Sequence, residues 1–158
     1  MAFKPYYGHE MAIEVNAGED IPYYNLLKFH GTDKTKLVKA TAGSVPVAVS
    51  VPSEESMMPD GAGGIVPRTQ WKSGEKLTAY DKGVVYVKLG ETVVAGQKCV
   101  AGATAGLGYA QDEPTFVATT IADLIIEIQA ARASDASVFG EYMVGGDAED
   151  IVPVKITK

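Results

Sequence analysis

The chain is 158 residues long, with 14 Lys and Arg against 20 Asp and Glu, 46% hydrophobic residues, 17 Gly, 8 Pro, 2 His and a single Cys. That length supports one domain burying about 68 to 70% of its unfolded surface without staples, and the lone Cys99 excludes an intrachain disulfide or a cysteine-rich zinc site. A net charge of −6 argues against a phosphate-binding groove, and no apolar run nears the roughly 18 residues that would cross a membrane.

In chain order, residues 1–12 come first and hold Phe3, Tyr6 and Tyr7 among Lys4, Pro5 and Gly8. They lack the apolar core of an export signal, so synthesis and retention in a cytoplasm are expected. Pro and Gly break so short a stretch, while aromatic rings bury large areas with few rotors. The expectation is an extended N-terminal arm, 1–12, with Phe3, Tyr6 and Tyr7 as interface anchors, followed by one domain over 13–158.

Within that domain, period-two alternation marks short strands. Met11, Ile13 and Val15 share one face, as do Val45, Val47, Val49 and Val51, then Val85, Val87 and Leu89, then Val152, Val154 and Ile156. Turn signals at Gly18, Gly31, Gly43, Gly74, Gly83, Gly90 and Gly96 separate them. Many short strands at that spacing predict a mainly β fold, a small barrel or sandwich. Pro46 and Pro153 cannot donate to a ladder, which predicts edges or bulges for their strands.

Residues 52–73 read as a long connecting loop, of a length usually reserved for binding or function. Trp71 at its end is either an interface anchor or a partly buried core edge. In 120–132, Ile121, Leu124, Ile125 and Ile128 follow helical spacing and Thr120 with Asp123 resembles a capping box, predicting a short helix. Leu124, Ile126 and Ile128 also alternate, which leaves a strand as the other reading.

Four segments read Gly-Glu-x-aliphatic, beginning at Gly18, Gly74, Gly90 and Gly140. The reading is a recurrent strand start with Glu pointing outward and Ile21, Leu77, Val93 and Met143 entering the core. The whole negative surplus lies in 111–158, with three basic and nine acidic residues. A solvated acidic face explains it, and a cation site at Asp147, Glu149 and Asp150 lacks the spacing of an EF-hand loop.

The chemistry-bearing residues are sparse. His9 and His30 stand apart, with no His or Glu at metal-ligand spacing. Cys99 has no histidine near it in sequence and reads as a small buried hydrophobe. Gly102–Gly108 is neither a dinucleotide fingerprint nor a phosphate loop. The Gly-x-x-Val-x-x-Gly rhythm of Gly90–Gly96 is similar to the flanks of biotinyl and lipoyl carrier domains, but Lys82, in Asp-Lys-Gly, lacks the flanks of a modifiable lysine. No catalytic residue, metal or cofactor is expected.

Taken in order, several segments resemble the capsid decoration, or cement, proteins of tailed bacteriophages and related viruses. They are Ala17–Ile21, Leu26–Phe29, Leu37–Gly43, Val45–Val49, Gly74–Thr78, Gly83–Val87, Val94–Lys98, Phe139–Met143 and Ile151–Ile156. The 52–73 loop and the Ile-rich 120–132 segment depart from the plainer members. The resemblance implies a structural virion protein on the outer surface of the mature capsid, trimeric at threefold or quasi-threefold sites and cementing neighbouring major capsid proteins against DNA pressure. Its implied partners are the major capsid protein and itself, with no nucleic acid and no membrane, after synthesis in the host cytoplasm. The arm would then reach onto the capsid or a neighbouring subunit. The other readings are a ligand-binding or carrier β-barrel domain and a tail- or fibre-associated module.

Overall fold

The computed structural model describes residues 14–158, together with the backbone of His9–Glu10. Sixteen strands and one helix follow in order: β1 (His9–Glu10), β2 (Val15–Ala17), β3 (Ile21–Pro22), β4 (Leu26–His30), β5 (Asp33–Lys39), β6 (Ala48–Ser50), β7 (Met57–Pro59), β8 (Ile65–Pro67), β9 (Gln70–Trp71), β10 (Lys76–Leu77), β11 (Ala79–Lys82), β12 (Val84–Lys88), β13 (Lys98–Ala101), β14 (Gly108–Ala110), α1 (Ile121–Ala136), β15 (Gly140–Tyr142) and β16 (Ile151–Ile156). The fold is mainly β, as the alternation predicts.

Two sheets carry the architecture. Seven strands run in the order β1-β11-β6-β4-β5-β2-β10, and five in the order β12-β16-β15-β13-β14. The pairings between these strands are antiparallel except β2 with β5, and an isolated parallel bridge joins Leu89, just past β12, to Gly108 of β14. Leu26 and Val49 of the larger sheet join Val85, Val87, Cys99, Phe139, Tyr142 and Val154 of the smaller sheet and its flanks in one core. The opposite face of the larger sheet carries a second core, in which Leu27, Leu37, Ala48 and Ala79 meet Ile21 and Trp71 of the β3–β9 ribbon.

Successive side chains of a strand point to opposite faces. Leu26 with Leu27, and Ala48 with Val49, are therefore all buried, one of each pair in each core. This corrects the single face predicted for Val45–Val51. The strand is only three residues long, Val45 is exposed, and β6 is covered on both sides, so its signal is a continuous apolar run.

Pro153 also departs from expectation, because β16 is an interior strand flanked by β12 and β15. The pairing with β15 ends at Val154 opposite Tyr142. The Pro153 carbonyl accepts from the Met143 amide at 3.0 Å, so its ring nitrogen faces the same side, and the reciprocal bond it cannot make falls just past the last β15 pair, where the ladder ends. Pro46 precedes β6 and lies in no strand.

The 52–73 stretch is not a structureless loop. It holds the β7–β8 hairpin, closed by Asp60 Oδ1, which accepts from the Ala62 and Gly64 amides at 2.7 and 2.9 Å. It then returns to the core through β9.

The Gly-Glu-x-aliphatic strand starts hold for Ile21 and Leu77, which are buried in β3 and β10; Val93 is buried but makes only an isolated bridge to Gly146, and Met143 is exposed. Their glutamates do more than face water. Glu19 Oε1 accepts from the Lys39 amide and Glu91 Oε1 from the Ala110 amide, both at 2.8 Å, while Glu75 pairs with Arg68 and Glu141 with Lys98. All but the Glu75–Arg68 pair join segments about 20 or more residues apart, the two backbone bonds satisfying amides near sheet edges.

Candidate interaction surface

The four residues expected to anchor an interface fall in two places. Phe3, Tyr6 and Tyr7 lie outside the described residues. Of the arm, His9–Glu10 is described, and it adds an edge strand against Tyr80 and Lys82 of β11. Trp71 is buried: its indole Nε1 donates to the Val51 carbonyl at 2.9 Å, and Tyr23 meets its ring edge-on with centroids 6.4 Å apart.

The Arg68 guanidinium lies 5.0 Å from the Trp71 ring centre, pairs with Glu75 and faces Glu55 at 3.6 Å. Its side chain is 4% exposed. A cation over an indole and beside two carboxylates has its charge offset, although the Arg68 Nε is buried without a hydrogen-bond partner. The cluster ties the returning end of the 52–73 segment to the start of β10 and spends Trp71 on the chain's own packing.

Charge chemistry elsewhere is structural. Glu149 pairs with Lys88 at 2.7 Å, Asp150 Oδ2 accepts from the Asp147 amide at 2.9 Å, and Asp147 Oδ1 accepts from the Thr92 hydroxyl at 3.1 Å. The three carboxylates thus close a turn, each engaged by a different donor. Among the described residues, no three His, Cys, Asp or Glu side chains converge to hold a metal. Cys99 is fully buried, and burial pushes its thiol up to about 12. Such a thiol holds its proton and does not act as a nucleophile near neutrality. Hydrogen bonds hold two exposed carboxyls below the usual carboxylate range, Asp20 through the Ser73 amide and Lys72, and Asp33 through the Thr35 hydroxyl and amide.

The helix is the outstanding surface feature. Thr120 caps it by accepting from the Asp123 amide at 3.2 Å. It runs on to Ala136, four residues beyond the predicted end, and buries none of its residues. Ile121, Leu124, Ile125, Ile126 and Ile128 are all exposed, as are Phe116 and Val117 just before them. Polar contacts hold its far end, where Gln111 Nε2 donates to Ser134 Oγ at 2.9 Å and to Asp135 Oδ1 at 3.0 Å. An open cleft of about 590 Å³ lies beside that end, lined by Gly102, Tyr109, Gln111, Ala133 and Ser137. Its two carboxylates are Glu91, whose Oε1 accepts from the Ala110 amide at 2.8 Å, and Asp112. No helix of the described residues is long and apolar enough to cross a membrane.

No protein-family model matches the chain, and no curated protein matches it in sequence. Among solved structures, the fold is similar to the N-terminal base of the head fibre protein gp8.5 of bacteriophage phi29. The TM-score is 0.59 with 15% identity, over 94% of this chain and 95% of that one. The two chains share a fold from end to end.

Proposed function

We propose that this protein is a structural component of a bacteriophage virion, bound to the outer surface of the mature capsid. In this reading it acts as a homotrimer at threefold or quasi-threefold sites and cements neighbouring major capsid proteins against internal DNA pressure. The observation that carries the reading is the fold shared with a phage head fibre base over nearly the whole of both chains. Two further features support it. The exposed apolar stretch from Phe116 to Ile128 is suited to adhesion, and β10 ends the larger sheet with an edge that a partner strand could extend. The role asks for no catalytic group, metal or cofactor, and its partners are the major capsid protein and the chain itself.

Mixing the purified protein with mature capsids emptied of DNA, then sedimenting them, tests the reading. Saturable co-sedimentation at a fixed ratio to the major capsid protein is expected, together with a higher temperature of capsid disruption. Protein left in the supernatant at all ratios would refute it. The likeness to a fibre base favours a second reading, in which the chain roots a projection on the head. Binding would then occur without any gain in capsid stability.

A further inference from the structure

We propose that α1 is the surface through which three copies of this chain associate. In the trimer, Ile121, Leu124, Ile125 and Ile128 of each copy pack as a parallel three-helix bundle on the threefold axis, with Phe116 and Val117 closing one end. The inference rests on the trimer of the preceding reading and names its contact.

The helix cannot account for its own stability. Helices shorter than about 12 to 15 residues are marginal in water, and in proteins helical stability comes mostly from packing an apolar face. This helix has 16 residues, of which none is buried. Ile121 is 80% exposed, Ile126 63% and Val117 79%. Phe116, Val117, Ile121, Leu124, Ile125, Ile126 and Ile128 are all left exposed within 13 residues of chain. A run of large exposed apolar side chains, as opposed to singly scattered ones, marks an interaction surface.

The pattern selects a second copy as the occupant. Ile121, Leu124, Ile125 and Ile128 fall at i, i+3, i+4 and i+7, one continuous face. In heptad terms Ile121, Ile125 and Ile128 occupy d, a and d, and isoleucine at both positions favours three or four strands over two. Leu124 widens the face beside that seam, as a helix touching two neighbours requires. Arg132 takes the next a position and ends the apolar seam. Glu127 accepts from the Val117 and Ala118 amides at 3.2 and 3.3 Å, which ties the segment leading into the helix to its second turn. Rotation about a threefold axis makes the helices parallel, the arrangement in which identical seams meet in register.

Sedimentation equilibrium of the full chain and of the Ile121→Asp/Ile125→Asp variant tests the assignment. The wild-type protein should have three times the monomer mass at high micromolar concentration, and the variant the monomer mass with unchanged β circular dichroism. A second pair of variants covers misfolding. Ile125→Cys should form disulfide-linked dimers on mild oxidation, whereas Ala130→Cys, exposed on the opposite face, should not. A wild-type monomer, a trimeric double variant, or equal cross-linking at the two positions would overturn the proposal. Capsid binding by a wild-type monomer would sink this contact and leave the virion role standing. Trimers built through α1 that ignore capsids would do the reverse.

Discussion

Ser50→Ala tests whether the polar staple inside the fold is worth what its geometry implies. Ser50 lies on β6 with no exposed surface. Its hydroxyl accepts from the Asn25 amide at 3.0 Å and donates to the Pro22 carbonyl at 2.7 Å, joining β3, the entry to β4, and β6. Alanine keeps the backbone, including the Ser50 amide bond to the Asn25 carbonyl, and removes both side-chain bonds. A buried donor and a partly buried acceptor are then left without partners. Each such group costs about 1 to 3 kcal/mol, with the enclosed Asn25 amide toward the top of that range and the Pro22 carbonyl toward the bottom, or about 2 to 4 kcal/mol together. For a domain of this size each kcal/mol moves the thermal midpoint by about 2 to 4 °C, so a fall of about 5 to 15 °C is expected. Calorimetry with a urea titration measures it, and the urea dependence should keep its slope because the surface exposed on unfolding is unchanged. A loss below about 0.5 kcal/mol, the range of a neutral surface change, would refute the reasoning.

Gly140→Ala should be more damaging than Gly43→Ala, although only Gly43 has a positive φ. A Cβ at Gly140 would sit 2.4 Å from the Lys155 carbonyl oxygen of the paired strand, while the space at Gly43 is open; equal thermal midpoints for the two variants would contradict this. Trp71→Phe is expected to cost about 1 to 3 kcal/mol, because the Val51 carbonyl loses the indole donor, and an unchanged urea midpoint would show that the bond is dispensable. Cys99 should resist thiol reagents in the folded protein and react once it is unfolded. Its folded pKa, about 12, lies above the roughly 8.5 of a free thiol, so the unfolded chain releases the proton first. Stability should therefore decline between about pH 8.5 and 12, by at most about 1.4 kcal/mol per pH unit from this group. Cys99→Ala should flatten that decline, and identical alkaline profiles would count against it.

The fold class was legible because alternation at Val85–Leu89 and Val152–Ile156 reports strands with one buried face each, and both segments form such strands. It failed at β6, where burial on both faces erases the alternation, and at Pro153, where whether a neighbouring strand reaches that far depends on chain segments distant in sequence. The helix was legible from Thr120 and the isoleucine spacing. What no local pattern could reveal is that its apolar side chains stay exposed, since the same spacing serves a helix packed on its own core. Likewise, Trp71 reads as an anchor or a core residue until Arg68 and Val51, three and twenty positions away, are brought against it. The glutamates of the repeated strand starts read as outward-facing because their acceptor role needs amides from other strands.

The excursion that carries α1 leaves the smaller sheet from β14 and returns as β15, and these two strands flank β13 on either side. Departure and return are thus two strand spacings apart, about 10 Å, and the pairings of β13 do not depend on what joins them. Closing such a gap costs little more entropy for a long insert than for a short one. Residues 112–138 are therefore a replaceable module: their amides should exchange with deuterium as a unit separate from the sheets. A different peptide, helix or small domain could be spliced into the same port while the strands around it keep their register.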